Sequence, residues 1–103
     1  MSTEKIEPAL RRLNERYRLD LEGIAFGMQD RNGTPVKCLV TNEAITDRLG
    51  GVPRLDQQVE WFRGHRREVE SIASEKFAAG EFSDGEFPIR IETQNLNPDK
   101  FDL

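Results

Sequence analysis

Five consecutive residues, Arg63-Gly64-His65-Arg66-Arg67, form the densest cationic cluster in this 103-residue chain. On a helix, Arg63, Arg66 and Arg67 share a neighbourhood that suits a phosphate or an acidic protein surface. Glu70 stands at i,i+4 to Arg66 and i,i+3 to Arg67, so the same segment also reads as a self-neutralised, solvated face. The single cysteine, Cys38, and the single histidine, His65, could pair as thiolate and base if the fold brought them together. Cys38 alternates with Val36 and Val40, however, as a small core residue does. With one His and one Cys, His65 and Glu68 at i,i+3 leave a metal short of ligands, and no metal site or cofactor is expected. Gly23, Gly27 and Gly33 do not open a helix and make no phosphate cradle. Pairs such as Glu68 and Glu75 read as surface charge, and no catalytic residue is assigned.

Charged residues make up 33% of the chain, with a net charge of −4. That balance disfavours a protein devoted to non-specific nucleic-acid binding. The charge is graded: residues 1–18 are net positive, whereas residues 81–103 carry six acidic side chains against two basic ones. No apolar run approaches the ~18 residues of a membrane span. The start, MSTEKIEPALRR, lacks the apolar stretch of a secretory signal, so a cytoplasmic location without membrane contact is expected.

Ile6, Leu10, Leu13 and Tyr17 recur at helical spacing, which predicts an amino-terminal amphipathic helix within residues 1–18. From Leu19 the period becomes two. Ile24, Phe26 and Met28 line one face of a strand, and Gly23, Ala25 and Gly27 present small residues on the other. Val36, Cys38 and Val40 line a second strand. A two-residue Asn32-Gly33 turn would set Phe26 against Leu39 and mix the faces. A three-residue loop Arg31-Asn32-Gly33, with Gly33 left-handed, instead pairs Phe26 with Cys38 and Met28 with Val36.

Thr41 predicts a helix cap and Gly50-Gly51 its stop. After Pro53, a stripe of Leu55, Val59, Phe62, Val69, Ile72, Ala73 and Phe77 predicts a long helix stopping at Gly80. Gly64 inside it marks either a close backbone approach or a kink. Trp61 falls off the stripe and reads as an exposed anchor for a partner or for self-association. Phe87, Ile89 and Ile91 form a third strand, with Pro88 pointing to a sheet edge.

The expected architecture is a small two-layer α+β sandwich in the order α-β-β-α-α-β, a three-stranded, mainly antiparallel sheet with helices on one face. Residues 1–18 form the helix, 19–92 the domain and 93–103 a flexible tail anchored at most by Leu96, Phe101 and Leu103.

Gly23-Ile24-Ala25-Phe26, Val36-Lys37-Cys38-Leu39-Val40, Asn42-Glu43-Ala44-Ile45, Asp47, Leu49-Gly50, Phe62, His65-Arg66, Val69, Ile72-Ala73, Gly80 and Ile89-Arg90-Ile91 stand in an order that resembles a group of small bacterial proteins, domain-of-unknown-function family 1488. The likeness spans roughly residues 21–96. It implies an α+β fold with a hairpin, two helices and a returning strand, and no established activity. The basic amino-terminal helix and His65 depart from that pattern.

These readings favour a non-enzymatic module binding a protein partner, or itself, through Trp61, Arg63, His65, Arg66 and Arg67 on the long helix. One alternative is a nucleic-acid-associated regulator using Arg63–Arg67 with Arg11, Arg12, Arg16 and Arg18. A small enzyme using Cys38 and His65 is the remote alternative.

Overall fold

The computed structural model describes residues 8–96. Strand β1 (Arg11–Asp20) pairs antiparallel with β2 (Gly23–Gln29), and β2 pairs antiparallel with β3 (Pro35–Thr41). Helices α1 (Asn42–Leu49) and α2 (Leu55–Ala78) then carry the chain over one face to β4 (Ile89–Ile91), which lies parallel to β3. A short helix α3 (Thr93–Leu96) follows. The sheet therefore has four strands in the order β1-β2-β3-β4, not three, and Pro88 does precede an edge strand.

The fourth strand stands where a helix is expected over residues 1–18: the chain is β1 from Arg11 onwards, and residues 1–7 lie outside the described residues. The physical reason is β2. Its residues Gly23–Phe26 and Met28 are buried, so β2 is a central strand whose second edge must be hydrogen-bonded. The apparent helical stripe is divided between the two layers. Leu10 is buried in the helix-side core, its N–H donating to Ser74 Oγ at 3.0 Å, while Leu13 lies over Gly27 on the opposite face. Tyr17 meets the Phe62 ring at 5.4 Å. The boundary drawn at residue 19 thus falls inside a strand.

The hairpin takes the expected form. Phe26 stands opposite Cys38 and Met28 opposite Val36, with Gly33 at φ 82° and its N–H donating to the Asp30 carbonyl. Thr41 caps α1 by accepting from Ala44 N, and Gly50, at φ 76°, ends it. At the end of α2 the Glu81 N–H donates to the Lys76 carbonyl at 2.9 Å around left-handed Gly80.

The core lies between the sheet and α1 and α2. Phe62, Val69 and Ala73 meet Ile24, Phe26, Val40, Ile89 and Ile91, all buried. Leu55 departs from the expected stripe, being 58% exposed. Further along α2, His65 adopts non-helical angles (φ −119°, ψ 15°), while a Cβ on Gly64 would touch nothing within 4 Å. Gly64 thus marks a kink and not a close approach. The expected free tail begins as α3 with Leu96 buried; Phe101 and Leu103 lie outside the described residues. No helix among the described residues is long and apolar enough to cross a membrane.

Candidate functional site

The most irregular part of the sheet is the middle of β1. Arg12 stands opposite Met28 and Tyr17 opposite Phe26, so four residues, Leu13 to Arg16, face the single Gly27. Such a bulge turns carbonyls out of the ladder and re-aims side chains. The outward carbonyls are gathered by Arg66. Its guanidinium donates to the carbonyls of Asn14 at 2.8 Å, Glu15 at 2.9 Å and Arg16 at 3.2 Å, and its Nε donates to Glu70 at 3.0 Å. Glu70 also accepts two bonds from Arg12, at 2.6 and 3.0 Å. That carboxylate, foremost through its hydrogen bonds, holds the Arg12 guanidinium above its ordinary pKa.

This network changes the standing of the five binding residues proposed from the sequence. Arg66 is only 6% exposed, so it holds the bulge and is not offered to a partner. Its pair with Glu70 forms, yet it is buried instead of solvated, and Glu70 turns to Arg12. Trp61, expected to be exposed, is 6% exposed and belongs to the same core cluster as its neighbour Phe62. His65 stacks on the Trp61 ring at 4.8 Å, with its Nδ1–H donating to the Trp61 carbonyl. Only Arg63, His65 and Arg67 of the five are exposed.

Cys38 and His65 are not brought together. The thiol is fully buried with Sγ directed at the Val36 carbonyl, and burial pushes its pKa up to about 12, aided by the charge of Glu70. A thiol so held stays protonated at neutral pH and is a poor nucleophile. Glu68, the other candidate metal ligand, is paired with Arg48 at 2.9 Å. Among the described residues no group of three or more His, Cys, Asp or Glu side chains could hold a metal ion.

Two surface features escaped the sequence reading. The first is a groove between the carboxyl-terminal half of β1 and the first turns of α2, where Leu19 and Leu55 are 45% and 58% exposed beside Val59 and Arg63. The second is a cleft of about 340 Å³ on the sheet face away from the helices, floored by Ala25 and Gly27 and rimmed by Arg16, Arg18, Lys37, Glu86 and Phe87. The small-residue face of β2 was the available signal for the cleft. Its basic rim needs Arg16 and Arg18 on a strand, which the helical spacing of residues 1–18 does not suggest.

A family model described as protein of unknown function (DUF1488) matches residues 11–88. The match begins where β1 begins, so the strand belongs to the shared domain and is not an appendage. A solved structure, a protein of unknown function of the same family from Shewanella loihica PV-4, aligns with a TM-score of 0.70 at 18% identity. The alignment covers 84% of this chain and 96% of that one, and at this identity it speaks for the fold. No curated protein matches. With the matched segment running from β1 to the approach to β4, the chain belongs to the DUF1488 family of proteins of unknown function.

Proposed function

We propose that this chain is a non-enzymatic binding module that recruits a partner protein through the groove between β1 and α2. The carrying observation is the exposure of Leu19 and Leu55 in one groove beside an edge strand. An extended partner segment adds to the free side of Tyr17–Asp20 and sets an apolar side chain between the two leucines. The bulge and the Arg66 fork block the same addition further along the strand, around Asn14 to Arg16, which fixes where such a segment sits. A second copy of β1 fits less well. Antiparallel self-pairing would oppose strands that each carry Arg11, Arg12, Arg16 and Arg18. The expected class of function is kept, and the surface shifts from Trp61, Arg63, His65, Arg66 and Arg67 to the groove that α2 forms with β1, of which Arg63 is a part.

The test is affinity capture with the full chain, comparing wild type, Leu19→Asp/Leu55→Asp and, outside the groove, Arg67→Ala, each verified as folded by circular dichroism. A stoichiometric protein lost with the leucine variant and kept with the arginine variant is the expected result. Loss with Arg67→Ala alone would return the surface to the exposed arginine of α2 outside the groove. Capture abolished by nuclease would replace this reading with the nucleic-acid one.

A further inference from the structure

The open-face cleft lies on the other side of the sheet from the docking groove and has a separate chemistry. Register explains its shape. Arg18 stands beside Ala25 and Lys37 beside Gly27, so two long cations flank two residues with almost no side chain. The bulge adds Arg16 to the same rim. On a chain of net charge −4, the cleft lining therefore sets three cations against one acid, Glu86, with Asp20 standing just outside it at 3.5 Å from Arg18. Charges of one sign around a concave, partly apolar surface focus the local field and attract the opposite sign.

Glu86 shows how an oxyanion is accommodated there. One oxygen, Oε2, lies between Arg18 at 3.4 Å and Lys37 at 3.7 Å. Both distances exceed the roughly 2.7–2.9 Å of a strong charge-assisted bond, whereas Glu70 in the buried network reaches 2.6 Å. Glu86 is also half exposed and follows Gly85, at φ 104°, in the loop leading to β4. It is a loosely seated internal anion on a pair of cations. Behind it, Phe87 is buried with Ala25 and Leu39, giving the cleft an apolar side wall.

We propose that this cleft binds a small organic oxyanion, a phosphate monoester or carboxylate with a flat apolar body. The oxyanion replaces the Glu86 carboxylate between Arg18 and Lys37, with Arg16 as the third cation. The apolar body lies over Ala25 against Phe87, beside Gly27, whose own face the Leu13 side chain covers. A volume of about 340 Å³ matches a ligand the size of one substituted ring.

The test is an NMR titration of the full chain with phenyl phosphate, benzoate and inorganic phosphate, following backbone amides. Saturable shifts centred on Arg18, Ala25, Gly27 and Lys37 are expected, with either aromatic anion binding more tightly than inorganic phosphate. Glu86→Gln should tighten phenyl phosphate by about threefold, the worth of one exposed ion pair. Glu60→Gln makes the same change of net charge in the docking groove and should leave the affinity unaltered. Lys37→Ala should weaken it by about tenfold. Shifts centred on Arg63 and Arg67, equal tightening by Glu86→Gln and Glu60→Gln, or no saturable shifts even with Glu86→Gln would each overturn the proposal. Inorganic phosphate binding as tightly as the aromatic anions would overturn the apolar part. None of these outcomes depends on the Leu19–Leu55 groove.

Discussion

Strand β2 is paired on both sides, and the two pairings are held in register by different means. Towards β3 the ladder is regular from Gly23 opposite Thr41 to Gln29 opposite Pro35, closed by a three-residue loop. Towards β1 it is broken, with four residues facing one glycine, and its irregular part is tied down by Arg66, some fifty residues away in sequence. The first pairing is specified by neighbours in the chain and the second by a side chain from another layer. A locally coded register is robust to distant substitution, whereas a register held by one guanidinium fails when that group is lost.

The sharpest way to break this comparison is Arg66→Ala. The substitution leaves three bulge carbonyls without their donor and removes one of the two arginines on Glu70 in a site about one tenth exposed. Losing one partner of a buried, hydrogen-bonded pair costs about 3 kcal/mol. For a domain of this size that is a large share of the total stability. Denaturant unfolding should show the loss, and hydrogen exchange should show β1 amides deprotected while Phe26 and Cys38 stay protected. Arg66→Lys should recover little of it, since an ammonium cannot reproduce a planar fork spread over three carbonyls and a carboxylate. Equal loss of protection in β1 and β3 would mean that the two pairings are one cooperative unit.

The contrast also explains what could be read in advance. Face matching between Phe26, Met28, Val36 and Cys38 leaves one loop length that keeps apolar against apolar, so the hairpin is legible from about twenty residues. The caps at Thr41, Gly50 and Gly80 are equally local. Nothing within residues 11–20 says that Leu13 and Tyr17 will part company to opposite faces; that follows from β2 needing a second neighbour and from Arg66 arriving over the bulge. The misplacement of the site has the same root. A helix over residues 1–18 offers Arg66 no carbonyls to meet and leaves it on the surface, and a stripe of residues at helical spacing does not show that Trp61 joins Phe62 in the core. The cleft and the groove each need β1 as a wall, so neither was visible.

A substitution of intermediate effect tests the hairpin side at its tightest point. A Cβ on Gly23 would collide with the Val40 carbonyl oxygen and crowd the Thr41 Cα, both main-chain atoms that cannot move without displacing the strand. Gly23→Ala should therefore cost about 2 kcal/mol, in the range of overpacking a close contact. Because Thr41 also caps α1, part of the loss should appear as fraying of that helix, read as weakened protection of the Ala44 amide, whose N–H donates to the Thr41 hydroxyl. A cost below that of an exposed surface change would show that β2 and β3 can slide apart without penalty, and the claim of a firmly coded register would fail.

The smallest expected effect concerns the loop that sets that register. Gly33 sits at φ 82°, and a Cβ there would meet only the Gln29 side chain at 3.9 Å, so the cost of Gly33→Ala is conformational and not steric. A non-glycine residue in the left-handed region loses about 1 kcal/mol. Asn tolerates that region better than Ala, so Gly33→Asn should recover part of the loss. Asp30 would still accept from the Asn32 and Thr34 amides, and its own N–H would still donate to the Thr34 carbonyl. The pairing of Phe26 with Cys38 should survive in both variants, detectable as unchanged contacts between the two strands in NMR. A shift to Phe26 against Leu39 would place the control of register in Gly33 alone; an unchanged pairing with a modest loss of stability assigns it to the apolar faces, with the loop closing a register that they have chosen.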